Sequence, residues 1–192
     1  MEGVELVNGI VVFTNKCTGS VQVIHEITDP EVKIGYDFKA NTHMNIIEVH
    51  TSTADCTLNR TLHFGPDTKI ALFSLNDCEA KLTINDQGHL ENDSEIECAY
   101  GELSLNNVEA NYTYDLDGQG SKVYIRNAVL SSEGKQKHYA VTFNHNERNT
   151  YGQMDNYGVV KDASTLYFDG IGRIRRGNNG SATHQTSKIM VF

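Results

Sequence analysis

Short stretches of alternating or β-branched residues recur along the chain, and turn-forming Asn, Asp and Gly residues separate them. Strands favour such stretches because successive side chains point to opposite faces of a sheet. The pattern predicts strands at residues 4–13, 21–27, 32–38, 45–49, 70–75, 81–84, 108–114, 122–125 and 139–143. No segment places apolar residues at helical spacing between a capping residue and a closing glycine. The chain is therefore predicted to be all-β.

Strands that recur roughly every 8 to 12 residues suit either a β-sandwich or a solenoid of short strands. The asparagine content favours the solenoid, because Asn tolerates the left-handed backbone of sharp corners between coils. The chain has only 2 prolines, so stiff corners of another kind are rare. The asparagines that suggest such corners include Asn76, Asn85, Asn106, Asn107, Asn127, Asn178 and Asn179.

Length and charge limit the class of protein. A chain of 192 residues with 39% hydrophobic residues can bury one sizeable core, so a single domain over residues 1–192 is predicted. The net charge of -9, without a clustered basic face, argues against a nucleic-acid partner. No apolar run reaches the roughly 18 residues of a membrane span. The acidic Glu2 does not fit a secretory signal, so a cytoplasmic location is expected.

Cys56, Cys78 and Cys98 lie 22 and 20 residues apart, which is about the length of one coil of a β-solenoid. If they stack, coils about 4.8 Å apart place the outer pair roughly 9.6 Å from each other. The sulfurs of a tetrahedral zinc site lie only about 3.8 Å apart. The three cysteines are therefore expected to be small buried residues, with Cys78 and Cys98 kept as weak candidates for binding a metal or cluster.

An acidic stretch resembles a calcium loop at first sight, and it runs from Asp115 through Asp117 to Gly120. The twelfth position of an EF-hand loop needs a bidentate Glu, whereas this chain has Arg126 there. The EF-hand interpretation therefore fails. The remaining acids show no grouping along the sequence that indicates the carboxylate pair of a glycosidase.

The last third of the chain, residues 138–192, carries an ordered series of motifs. A polar His/Asn turn, a Gly-Val-Val strand and an acidic turn at Asp162 come first. An aromatic strand to Phe168, Asp169 and Gly170 follows, then a basic strand through Arg173 and a Gly/Asn turn. Residues 181–185 then lead into a final apolar run. This series resembles the closing coils of the β-helical core of the SufB and SufD proteins of iron-sulfur cluster assembly.

The resemblance implies a right-handed parallel β-helix. In that family helical segments flank the core, the C-terminal one docks the ATPase SufC, and SufB and SufD pair through their last coils near the nascent cluster. This chain stops at Phe192, so the expected fold lacks the terminal helical segments and SufC docking is in doubt. SufB proteins carry a cysteine near the last strand, whereas this chain has Thr186 and Ser187 there. The likeness is therefore to a shortened SufD.

The function implied is that of a SufD-like scaffold or accessory protein that works through protein contacts and is not an enzyme. No resident cofactor is predicted, and the resemblance implies at most a transient iron-sulfur cluster. Two alternatives stay open. One is a carbohydrate-active β-helix enzyme, and the other is an inert binding or structural relative without cluster chemistry.

Two histidines and the chain end complete the predicted sites. His145 and His184 fall in the recognisable segment and are weak candidates as metal ligands through neutral imidazole. A hydrogen-bonded turn histidine is the commoner role for such residues. A solenoid exposes strand edges at its ends, so a second subunit is expected to cover the last coils. The partner is predicted to be a second copy or a SufB-like protein, and the interface residues are Ile189, Met190, Val191 and Phe192.

Overall fold

The computed structural model describes residues 2–192, and all regular structure in that range is strand. No helix occurs in this range, so none there could cross a membrane. The strands are β1 (Val4–Val7), β2 (Ile10–Phe13), β3 (Thr18–Glu26), β4 (Glu31–Phe38), β5 (His43–Ser52), β6 (Cys56–Phe64), β7 (Lys69–Cys78), β8 (Leu82–Leu90), β9 (Glu95–Glu102), β10 (Val108–Leu116), β11 (Lys122–Ser131), β12 (Gln136–His145), β13 (Tyr151–Val160), β14 (Thr165–Ile174) and β15 (Ala182–Val191).

The chain alternates between two sheets as it advances. Sheet A has the order β1-β2-β4-β6-β8-β10-β12-β14, and sheet B has the order β15-β13-β11-β9-β7-β5-β3. Every pairing after β1–β2 is parallel, for example Leu58 with Ile84 and Ile84 with Ala110, so one coil takes 26 residues there. Later coils are longer, since Tyr151 pairs with Ala182, 31 residues further on. The predicted all-β parallel solenoid is confirmed.

The predicted first strand, residues 4–13, is instead a hairpin. β1 and β2 pair in antiparallel register, with Val7 opposite Ile10. Asn8 and Gly9 form the turn between them, and both have positive φ, at 49° and 80°. An Asn-Gly pair suits a two-residue hairpin turn, because both central residues need a left-handed backbone. The sequence predicted one long strand because apolar residues alternate on both sides of this turn.

The structure contains the predicted left-handed backbone at corners between strands, but at other residues than the asparagines named from the sequence. Positive φ occurs at Asn41, Asp67, Asp93, Asn149 and Asp162, all of which lie between strands. Several of the asparagines expected at corners lie within strands, namely Asn76, Asn85 and Asn127. Asn and Asp adopt this backbone more readily than other non-glycine residues, which explains their choice at the corners.

The core lies between the two sheets and consists of side chains stacked from coil to coil. Phe13, Phe38 and Phe64 occupy one column, with ring centroids 5.0 and 5.1 Å apart and nearly parallel planes. All three are at most 1% exposed. Because parallel register repeats each inward position on the next strand, like side chains meet across coils and pack as a continuous column.

Candidate functional site

A buried ion cluster interrupts the apolar core between the two sheets. Arg60 on β6 lies between Glu48 on β5 and Asp86 on β8. Its Nε and Nη2 donate to the two oxygens of Asp86 over 2.8 and 2.6 Å, and its Nη1 donates to Glu48 Oε2 over 2.5 Å and to Ser74 over 3.2 Å. The three charged side chains are at most 1% exposed. One guanidinium thus bridges two carboxylates on different sheets.

Further polar groups complete the hydrogen bonding of these carboxylates. The Tyr36 hydroxyl donates to Glu48 Oε1 over 2.5 Å, and the Tyr100 hydroxyl donates to Asp86 Oδ2 over 3.0 Å. His50 Nε2 lies 3.4 Å from Glu48 Oε2. Burial raises the pKa of Glu48, but Arg60 and the bonds from His50 and Tyr36 outweigh it and lower the pKa to about 2. Glu48 therefore stays ionised inside the core.

The lowered pKa of Glu48 predicts a pH dependence of stability. In the unfolded chain this carboxyl has its ordinary pKa of 4.5, and in the fold its pKa is about 2. The stabilisation is therefore complete above pH 4.5 and is lost as the pH falls towards 2. We expect Glu48→Gln to flatten the fall in unfolding free energy over this window, measured by urea unfolding at several pH values. Exposed Glu97→Gln is the control, and equal slopes for both variants would contradict the assignment.

A second buried polar group lies in the next coils. The Glu102 carboxylate accepts hydrogen bonds from Tyr139 over 3.0 Å and Asn76 over 3.1 Å, and it lies 3.5 Å from Lys137 Nζ. Lys137 also donates to the Ser104 carbonyl over 2.8 Å. Burial lowers the pKa of Lys137, and Glu102 opposes this effect. Both charged side chains are 1% exposed, so they join coils to one another and are closed to dissolved substrates.

Two neighbouring inward side chains of sheet B each have one polar atom without a hydrogen-bond partner among the described residues. His50 and Asn76 are paired in register on β5 and β7. The ring Nδ1 of His50 and the Oδ1 of Asn76 are both buried without a hydrogen-bond partner among the described residues. Buried polar atoms of this kind usually bind an internal water. These two atoms are therefore available to hydrogen-bond an internal water.

The cysteines do not form the ladder that their spacing suggested. Cys56 is in register with Leu82, Cys98 with Leu72 and Ile125, and Cys78 with Ser52. One coil takes 26 residues here, whereas the cysteines are 22 and 20 residues apart, so they fall at different positions of successive coils. Their predicted burial is confirmed, since Cys56, Cys78 and Cys98 are at most 6% exposed.

Burial also makes the two cysteine candidates poor ligands. It raises the pKa of the Cys78 thiol to about 12, with Cys56 and Glu102 adding to the effect. It likewise raises the pKa of the Cys98 thiol to about 11, against hydrogen bonds with Tyr114 and Tyr100. Thiolates, not thiols, bind metals and attack electrophiles. Neither residue joins a group of possible metal ligands among residues 2–192.

The two predicted histidines lie apart and differ in exposure. His145 ends β12 rather than lying in a turn, is fully buried, and makes 2.7 Å hydrogen bonds to the hydroxyls of Thr150 and Thr183. Burial lowers its pKa, so the ring is neutral. His184 faces solvent on β15, where its Nε2 lies 3.3 Å from the Thr186 hydroxyl. The structure does not bring these histidines into one site.

The outer face of sheet A carries histidines between carboxylates, a grouping that sequence reasoning missed. His63 has Nδ1 2.9 Å from Asp37 and Nε2 2.9 Å from Glu91. His138 lies in the same way between Glu109 and Asp169. His89 lies beside Asp115 and Asp117. A 26-residue repeat in the sequence could have revealed this grouping. His63 and His89 are one coil apart, and Asn59, Asn85 and Asn111 repeat with the same period.

The predicted interface residues lie on the last coil and are largely exposed. Ile189 is 43% exposed, Met190 59%, Val191 74% and Phe192 77%. Within residues 2–192, β14 pairs only with β12 and β15 only with β13, so each sheet has an open edge at this coil. Met190 also closes an apolar groove on the outer face of sheet B, whose other apolar walls are Leu103, Ala128, Leu130, Tyr157 and Val159.

Comparison with known protein families shows which family this chain belongs to. The family model described as SUF system FeS cluster assembly, SufBD core domain, matches residues 33–192. The chain belongs to this family. The match runs from Lys33 within β4 to the end of β15, and it includes the buried ion cluster and the histidines on the outer face of sheet A. The resemblance inferred from the closing coils is confirmed and extends over most of this chain.

A curated relative supports the SufD-like character of this SufBD core. The chain is 25% identical over 100 residues to the iron-sulfur cluster assembly protein SufD of Bacillus subtilis (strain 168). The aligned part is 52% of this chain and 23% of that SufD. The match thus spans less than a quarter of the relative's length.

Proposed function

We propose that this protein is a SufD-like accessory component of iron-sulfur cluster assembly that acts in the cytoplasm through protein contacts, without turnover of its own. The observation that carries the proposal is the SufBD core match over residues 33–192, together with the SufD relative. The interior agrees with a structural role, because its charged and thiol groups are buried and mutually paired or protonated.

The last coil is the proposed contact surface. Among residues 2–192, β14 and β15 each pair with a strand on one side only, and natural proteins usually cover such edges. Four exposed apolar residues follow one another at its end, from Ile189 to Phe192. The apolar groove of sheet B runs into the same edge at Met190. Ile189 and Val191 continue the inward positions of β13, whereas Met190 lies on the outer face beside the groove. Exposed apolar side chains on both faces of an open sheet edge favour a protein partner.

We expect the purified chain to form a dimer through this coil. Light scattering at micromolar concentration should then give twice the chain mass of 21.4 kDa. Val191→Asp places a charge in the interface and should weaken self-association about 10-fold or more. Ile24→Asp is the matched control, because Ile24 is 69% exposed at the opposite end of sheet B. A monomeric wild type, or equal loss with both variants, would contradict the dimer.

A SufB-like protein is the proposed partner in assembly, replacing one copy of the dimer. We expect anaerobic reconstitution with iron and sulfide to give more cluster absorbance when this chain accompanies a SufB-like protein from the same host. The chain by itself should give little, because no cysteine follows Cys98 and the described cysteines are buried. No increase with the SufB-like protein would favour an inert binding relative instead.

A further inference from the structure

Two adjacent coils bring one imidazole and two carboxylates together on the outer face of sheet A. β8 and β10 pair in parallel with His89 opposite Asp115, so these side chains leave the sheet side by side. Asp117 follows the end of β10, and its backbone N–H donates to the Leu90 carbonyl over 2.9 Å. That bond fixes the backbone of Asp117 next to the end of β8. The three side chains thus converge because of the register.

The distances among these three side chains fit a single ion. His89 Nδ1 lies 3.2 Å from Asp117 Oδ2 and 3.6 Å from Asp115 Oδ2. One donor atom from each of the three residues lies within 4.8 Å of the others. An ion about 2.1 Å from each donor requires donor separations of roughly 3.0 to 4.2 Å. Small side-chain rotations would therefore bring the three donors to the separations that one ion requires.

Neutral amides, rather than basic side chains, hold the two carboxylates. Asp115 accepts hydrogen bonds from Gln87 and Asn144, both over 2.7 Å, and Asp117 accepts one from Asn146 over 2.6 Å. Metal-bound carboxylates are commonly held by hydrogen bonds of this kind. Among the ion pairs of residues 2–192, neither aspartate has a Lys or Arg partner. The two negative charges are left for a cation to neutralise.

The Asn146 amide contacts one of these carboxylates. Its Nδ2 donates to Asp117, whereas its Oδ1 is buried and has no hydrogen-bond partner among the described residues. Through its nitrogen this amide holds Asp117 in place, as Gln87 and Asn144 hold Asp115.

We propose that His89, Asp115 and Asp117 bind one divalent first-row transition-metal ion on the outer face of sheet A. One imidazole nitrogen with carboxylate oxygens suits such ions, whereas calcium takes oxygen ligands. Water would fill the remaining positions, so the ion would be open to solvent and exchangeable. The acidic stretch that fails as an EF-hand thus supplies two of the three ligands. The site is independent of the proposed role in cluster assembly.

Titration calorimetry with zinc chloride tests the proposal. The wild-type chain is expected to bind one equivalent at this site. His89→Gln and Asp117→Asn each remove a ligand and should weaken that binding at least 10-fold. The two side chains are 43% and 42% exposed on the outer face of the sheet, so the fold should persist, which circular dichroism would verify. Binding of cobalt without a thiolate charge-transfer band would exclude the cysteines as ligands.

His63→Gln is the matched control. His63 lies in register with His89 one coil earlier and is also flanked by two carboxylates. Its carboxylates contact opposite ring nitrogens, so they cannot share one ion with the ring. Zinc binding should therefore be unchanged in this variant. No zinc binding by wild type up to about 1 mM, or equal affinity in His89→Gln and wild type, would overturn the proposal.

Discussion

Replacing Arg60 with methionine is expected to lower the free energy of unfolding by about 3 to 5 kcal/mol. The variant leaves Glu48 and Asp86 buried without the cation that both of them contact. An uncompensated charge in the core costs far more than the loss of a surface ion pair. Urea unfolding followed by circular dichroism at pH 7 measures the change directly.

Arg126→Met is the control for this experiment. Arg126 pairs with Glu97 over 3.1 Å on the outer face of sheet B, where both side chains are 50% exposed. Exposed pairs contribute about 0 to 1 kcal/mol, so this variant should unfold nearly as the wild type does. Similar losses for Arg60→Met and Arg126→Met would show that the buried cluster does not hold the sheets together.

Phe64→Ala is expected to cost about 3 to 5 kcal/mol, because it removes the last ring of the column that begins at Phe13. Phe64 is fully buried and stacks on Phe38 at 5.1 Å, so the cavity cannot fill from solvent. Phe73→Ala is the matched control, since Phe73 is 43% exposed on the outer face of sheet B. That variant should lose less than about 1 kcal/mol in the same urea experiment. Equal losses would contradict the assigned core.

Alternation and turn residues were enough to predict the fold class, but not the length of a coil. The spacing of Cys56, Cys78 and Cys98 suggested 20 to 22 residues, whereas the register repeats every 26. Cysteine was a poor marker because a small buried residue fits many inward positions. The asparagines Asn59 and Asn85 are better markers, since the amide of one donates to the other across coils.

The buried charges were missed for a physical reason. Arg60 has the same parity along β6 as Leu58 and Leu62, so alternation alone places it inside. A single charge at such a position contradicts the usual rule, and its two partners are 12 and 26 residues away on other strands. Only the register brings the three together. The same holds for His89 and its aspartates, which the sequence separates by a whole coil.

Recovery of a tagged chain from its native host, with quantification of co-purifying proteins by mass spectrometry, tests the proposed role most directly. We expect a SufB-like protein to accompany the wild type and Ile24→Asp, and to fall about 10-fold or more with Val191→Asp. Absence of any SufB-like protein from the wild-type preparation, or equal recovery with Val191→Asp, would contradict a SufD-like component that works through its last coil.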